Sequence, residues 1–505
     1  MWKSLIQNHK NLVLPITFLV FILSWIWSAS DYGLTWDEPL YYSAADSYLN
    51  WFNLILHSPI KGLESIDFYW CNNAQHPPLA KIVAGIFGSF GTYRLSGLFW
   101  IILLGIQVYR IVWDYSKSYL AAIVGALVTM SSPRVFSQSH FVELDLPLSV
   151  LWLATVFSFT KSIDSIKWQI LTGVFLGLAL LTKITAIFIW IPLVIYGVIY
   201  YRRSFLRPLI IVLTIGVIIF FVGWPWLWNS PIDRTFNYIR LFLTFKSPLK
   251  VMYLGTAYYS TPWHYPLFML FVTIPLVVLI LSFYGFFTGL RNKEPLCIIS
   301  LINIMFVLAL FSRPGTLVID GIRYFLPVIG FVGIMAGIGI SHLFQKLRYS
   351  TIWNIGICII LVMSLVISYM SVHPFGTSYY NSLIGGLKGA RFFGMETTYW
   401  GEVMNKEVIN YINKNYPENA KLKILPFYPA NAPIEALSFF PDVIVYYQKK
   451  NILRKDLQFF SSPPYDGIVL ISREGLYDSN CYYLRNKTIP KMKIVRDEVQ
   501  LLGIY

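Results

Sequence analysis

The feature that most restricts this chain is a series of apolar runs, beginning with LVLPITFLVFILSWIWSAS, that recurs as far as residue 370. A run of that length crosses a bilayer or is buried in a large core, and so many in succession cannot share one water-soluble core. Charged residues make up 13% of the chain, where a soluble domain carries about 25%, so the fold class expected is a polytopic α-helical membrane protein. Candidate spans fall at about 12–30, 95–112, 119–133, 146–160, 168–182, 184–200, 208–223, 267–288, 296–312, 324–341 and 352–370, or about 11 transmembrane helices. Several are shorter than the roughly 20 residues of a straight crossing, which leaves one hairpin open to being re-entrant.

The net charge of +15 does not mark a nucleic-acid partner, because the basic residues cluster in short turns between the apolar runs. Lys3, Lys10, Arg110, Lys117, Lys161, Lys167, Arg202, Arg203, Arg207, Arg291, Lys293, Lys346 and Arg348 all fall on one side, which the positive-inside rule makes cytoplasmic. The amino terminus is then inside and the carboxyl terminus outside. The first run has no A-x-A-type cleavage site and is expected to stay as an anchor in the plasma (inner) membrane. Cys71, Cys297, Cys358 and Cys481 lack metal-ligand spacing.

This orientation divides the chain into a membrane domain, 1–370, and an extracytoplasmic domain, 371–505. The first outer loop, 31–94, is expected to hold juxtamembrane helices. In the tail, the helical pattern EVMNKEVINYINKN precedes short strand-like runs, AKLKILPFY, DVIVYYQ, YDGIVLIS and KMKIVRDEVQLLGIY, which suggests a small α/β domain. Asp37, Glu38, His76, Arg94, Glu143, Asp145, Lys183, His264 and Arg323 all map to the outer mouths of spans. Most have a bland alternative: Asp37–Glu38 as a solvated loop, Lys183 as a snorkelling turn residue, Glu143 and Asp145 as acids favoured by a helix dipole. That all share one face points instead to a site.

A reaction there with a lipid-linked anion needs a carboxylate to accept a proton from an attacking hydroxyl, and cations to hold a phosphate as it leaves. Asp37 or Glu38 suits the first role, and Lys183 with Arg323 the second. Glu143 and His264 are auxiliary or acceptor-side candidates. Glu143, Asp145 and His264 lack local ligand spacing, so no structural metal is expected.

The ordered motifs TWDEPLYY, HPPLAK, RLSGLFW, FVELDLPLS, LLTK, WPWLWNSP, PWHYP and RYFLPV, over about residues 30–330, resemble the C-type (GT-C) membrane glycosyltransferases of the dolichyl-phosphate-mannose-protein mannosyltransferase and aminoarabinose transferase superfamily. The resemblance implies that Asp37 is the catalytic base with Glu38 beside it. It places Asp145 at a second acidic position, which orients the acceptor or in some relatives helps hold a divalent cation. Lys183, Arg323, His76 and Arg94 correspond to positions facing the donor phosphate. There are departures: no loop is long enough for a trefoil domain, and His76 stands where the aminoarabinose enzymes have Lys. The function implied is inverting transfer of a sugar from a polyprenyl-phosphate donor to a hydroxyl on a lipid, glycan or protein. A secondary transporter or lipid flippase is the rival, but transporters favour midplane ionisable residues and repeated halves, and no repeat is visible here. A non-catalytic docking subunit is the third reading.

Overall fold

The computed structural model describes every residue except 1, 246–248, 317, 348–350, 427–438, 455–457 and 460–463. Arg348, one of the basic turn residues, lies outside the described residues. An apolar helical stretch occupies each of the expected places. Leu12–Asp31, Leu95–Ser116, Ile184–Tyr201, Val328–Leu347 and Ile352–Met370 are long and apolar enough to cross a membrane. Tyr119–Met130, Asp145–Thr160, Ile166–Leu180, Leu206–Val222 and Pro295–Phe311 are apolar but shorter.

The stretch expected at 267–288 is not one straight helix. Tyr265–Thr273 and Leu276–Arg291 meet at 114°. Pro275 explains the break, since it donates no hydrogen bond and forces the preceding residue to extend, as Ile274 does at φ −90° and ψ 136°. The carbonyls freed by the break are satisfied from far along the chain: the Asn381 side-chain amide donates to Phe271 O at 2.6 Å and Ile274 O at 2.7 Å. Leu276–Arg291 then packs closely on the buried helix Val328–Leu347. A Cβ on Gly285 would stand 2.0 Å from the Met335 carbonyl oxygen, so only glycine allows this approach.

The tail forms a five-stranded sheet in the order β4-β3-β5-β7-β6, with β3 Lys421–Leu425, β4 Gln458–Phe459, β5 Gly467–Ile471, β6 Met492–Arg496 and β7 Val499–Ile504. The earlier strands β1 Val251–Tyr253 and β2 Thr256–Tyr258 make a separate hairpin. β3 runs parallel to β4 and β5, and β7 antiparallel to β5 and β6. The run KMKIVRDEVQLLGIY is a hairpin turning at Asp497 and Glu498, both with positive φ (47° and 62°), as a two-residue turn between twisted strands needs. One expectation fails here. DVIVYYQ is not a strand but part of the helix Phe439–Lys449, and its buried residues Val443, Ile444 and Tyr447 follow helical spacing. Buried residues of the helices and of the sheet belong to one connected core. Tyr447 bolts the two parts together, donating to Met404 O at 3.2 Å and accepting from Leu34 N at 2.9 Å.

Candidate active site

The bundle's ionisable residues come together because four chain breaks meet at one end of the helices. Asp37 is the N-cap of Glu38–His57, and Asp145 opens Asp145–Thr160. Lys183 occupies an extended residue between two helical stretches, and Arg323 starts a short 3-10 turn. Arg323 is the hub. Its Nε donates to Asp145 Oδ2 at 2.9 Å, its Nη2 to Asp37 Oδ2 at 2.8 Å and its Nη1 to Asp320 Oδ2 at 3.1 Å. Lys183 Nζ pairs with the other oxygen of Asp145 and lies 4.6 Å from the Tyr324 ring centroid. Lys183 is therefore a buried ion-pair partner rather than a snorkelling turn residue.

The network is largely buried, and its residual exposure is uneven. The Asp145 side chain is 0% exposed and that of Asp320 2%, whereas Asp37 keeps 14%, Lys183 10% and Arg323 9%. The accessible edge thus presents one carboxylate and two cations. Burial raises the Asp37 carboxyl above its ordinary value, while the Arg323 guanidinium and the Trp400 indole pull it back down. Asp37 is a stronger base than a solvated aspartate. Its Oδ2 is held by Arg323 and, at 3.0 Å, by the Trp400 indole N–H, which leaves Oδ1 to meet a proton. Glu143 caps the next helix, accepting from Leu146 N at 3.0 Å. Burial and then the neighbouring Asp145 push its carboxyl upward.

Three other expected residues are placed differently. Glu38 and Arg94 form their own closed pair: Arg94 Nε and Nη2 each donate to Glu38 at 2.8 Å, and Arg94 Nη1 and Nη2 also donate to the carbonyls of Tyr32 and Gly33. With its fork committed in this way, Arg94 has a structural role in joining the first loop to its helix and does not face the network. His264 is bonded through Nδ1 to Tyr253 at 2.8 Å, on the β1–β2 side. His76 does belong near the cluster, edge-on to Tyr41 at 6.2 Å. Burial and then the nearby cations Lys81, Lys183 and Arg323 drive its pKa well below the usual value, so it is a neutral imidazole. Lys81 shapes that loop, donating to His76 O at 2.7 Å, Asn73 O at 2.9 Å and Asn73 Oδ1 at 3.0 Å.

The sequence pointed to neither Trp400, Asp320 nor Arg473. Trp400 lies in YWGE, and its ring centroid is 3.8 Å from the Arg323 guanidinium carbon. Asp320, three residues before Arg323, had the spacing of an ion pair as its only signal. These acids do not fit a divalent cation. Asp145 gives each oxygen to a cation, and among the described residues no three His, Cys, Asp or Glu are arranged to hold a metal.

Residues 75–228 match the family described as dolichyl-phosphate-mannose-protein mannosyltransferase. No curated protein matches the sequence. Among solved structures, ArnT from Cupriavidus metallidurans in the apo state aligns with a TM-score of 0.54 and 14% identity over 98% of each chain. The same protein bound to undecaprenyl phosphate aligns with 0.52 and 13% identity over 97% of each chain. The matched segment contains HPPLAK, FVELDLPLS and LLTK, and so includes His76, Asp145 and Lys183. The chain has the polytopic helical fold of ArnT and carries, over 75–228, the sequence signature of the dolichyl-phosphate-mannose-protein mannosyltransferases.

Proposed function

We propose that this protein is an inverting glycosyltransferase that moves a sugar from a polyprenyl-phosphate donor to a hydroxyl acceptor at the outer face of a plasma membrane. The observation that carries the reading is the accessible edge of the network, one carboxylate with raised basicity beside two cations. The acceptor oxygen attacks the anomeric carbon from the side of Asp37, whose Oδ1 takes the hydroxyl proton. The bond from that carbon to the phosphate oxygen breaks on the opposite face, and its electron pair stays with the polyprenyl phosphate. The lipid phosphate leaves with one more negative charge, which Arg323 and Lys183 stabilise. Because Asp37 accepts a proton and does not bond to the sugar, the single displacement inverts the anomeric centre. Asp145 holds both cations in register, and His76, as a neutral imidazole, offers a hydrogen bond without adding charge. Glu143 caps the helix that carries Asp145.

Support for the donor class comes from the mannosyltransferase match and from the fold shared with ArnT, which has been solved with undecaprenyl phosphate. In this reading the helical stretches cross the membrane with the basic turns inside and the terminal sheet outside. The acceptor is a lipid, glycan or protein hydroxyl. Mass spectrometry of cell-envelope glycans tests the reading. A sugar increment present with the wild-type gene should vanish both on deletion and with Asp37→Asn; identical glycans in all three strains would refute it.

A further inference from the structure

One guanidinium outside the helical bundle touches three of the segments that border the site. Arg473 lies two residues beyond β5 and is 2% exposed. Its Nη1 donates to Asp320 Oδ1 at 2.9 Å and also to the Tyr399 carbonyl, and its Nη2 donates to the Ile319 carbonyl at 3.0 Å. The guanidinium carbon is 5.2 Å from the Trp36 ring centroid. Trp36 directly precedes Asp37, Tyr399 directly precedes Trp400, and Asp320 uses its second oxygen to hold Arg323. The first two segments are also joined to each other, Trp36 N donating to Trp400 O at 3.2 Å. The turn that carries Arg473 is itself pinned, since buried Glu396 accepts from Glu474 N at 2.7 Å and Gly475 N at 3.0 Å.

We propose that Arg473 is a positioning residue, the link by which the terminal sheet sets Asp320, and through it Arg323, in register with Asp37 and Trp400. The sheet is then part of the lipid-phosphate site and not an appended module. A planar fork suits this task, because a single charged group must bind a carboxylate and two carbonyls in fixed directions. Lysine has the charge but not the fork. The proposal rests on Arg323 being a ligand of the polyprenyl phosphate.

Residues acting through one another give non-additive losses, whereas independent structural damage adds. Binding of undecaprenyl phosphate to the full-length protein should therefore be measured for wild type, Arg473→Gln, Arg323→Ala and the double variant. Arg473→Gln is expected to weaken binding by roughly 10-fold or more, and by less than about 2-fold once Arg323 is gone. Arg473→Lys, which keeps the charge but loses the fork, gives the same cycle if Arg473→Gln fails to fold. Equal losses in both backgrounds, or wild-type binding by Arg473→Gln while Arg323→Ala loses it, would overturn the positioning role alone. Wild-type and Arg323→Ala proteins that both ignore the lipid would overturn the donor reading and this proposal with it.

Discussion

Replacing Asp37 with Asn should move two measurable quantities in opposite directions. Asparagine keeps the size, and its carbonyl oxygen can still accept from Arg323 and Trp400, which hold Oδ2 at 2.8 and 3.0 Å. The amide nitrogen then takes the place of Oδ1, where the proton acceptor was. Loss of a positioned general base costs about 10²–10⁴-fold in turnover. Meanwhile Arg323 loses one of its three carboxylates, so the accessible edge becomes more positive by one charge. At about 6 Å and an effective dielectric of about 20, one charge is worth about 3 kcal/mol, and solvent at the open edge reduces it. Undecaprenyl phosphate should bind about 3- to 30-fold more tightly. The assay pairs single-turnover sugar transfer with equilibrium binding of the lipid phosphate, on protein checked by Tm. Turnover within about 10-fold of wild type would refute the base, and weaker lipid binding would refute the charge argument.

Lys183→Ala removes a cation from the same edge and should cost about 2–4 kcal/mol of lipid-phosphate binding, so an unchanged Kd would exclude Lys183 from the clamp. Transfer should fall as pH drops through a midpoint above 3.8, because burial raises Asp37 and only its ionised form accepts a proton. Trp400→Phe, which deletes a hydrogen bond favouring that ionised form, should move the midpoint upward; a kcat/KM profile flat to below pH 3.8 would contradict both statements. A phosphatase fused after Ser371 should be active and one fused near Arg203 silent, and the reverse result would put the site on the wrong face.

What could be seen in the sequence follows from what membranes penalise. Asp145, Lys183 and Arg323 interrupt or flank apolar runs, where an ionised side chain is tolerated only with a partner or a task. That cost marks the residue but does not name the partner. The resemblance set Arg94 beside Arg323 as a donor-phosphate position, yet one is bound to Glu38 and the other holds three carboxylates. Arg473 gave no local signal because the Tyr399, Asp320 and Ile319 groups to which its guanidinium donates lie 74 to 154 residues away in sequence. The tail was legible at YDGIVLIS, which holds β5, but KMKIVRDEVQLLGIY, read as one strand-like run, is two strands turning at Asp497 and Glu498. It was misread at DVIVYYQ, because a short apolar run suits a buried helix face as well as a strand.

The adjacent acids Asp37 and Glu38 give the sharpest contrast between chemistry and architecture. Glu38 Oε1 accepts from Tyr42 Oη at 2.7 Å, Arg94 Nε at 2.8 Å and Val142 N at 3.2 Å. Its Oε2 accepts from Thr35 N and Arg94 Nη2, both at 2.8 Å. Every group around this fully buried carboxylate is a donor. Glutamine, the closest isostere, must aim its NH₂ at donors whichever way its amide is turned, and it leaves Arg94 without its counter-charge. Breaking one side of a buried ion pair costs about 3–5 kcal/mol. Glu38→Gln should therefore lower Tm by several degrees or abolish folding, while Asp37→Asn, one residue away, leaves Tm nearly unchanged and stops turnover. A Glu38→Gln protein that melts like wild type but transfers no sugar would reverse the assignment and make Glu38 the base.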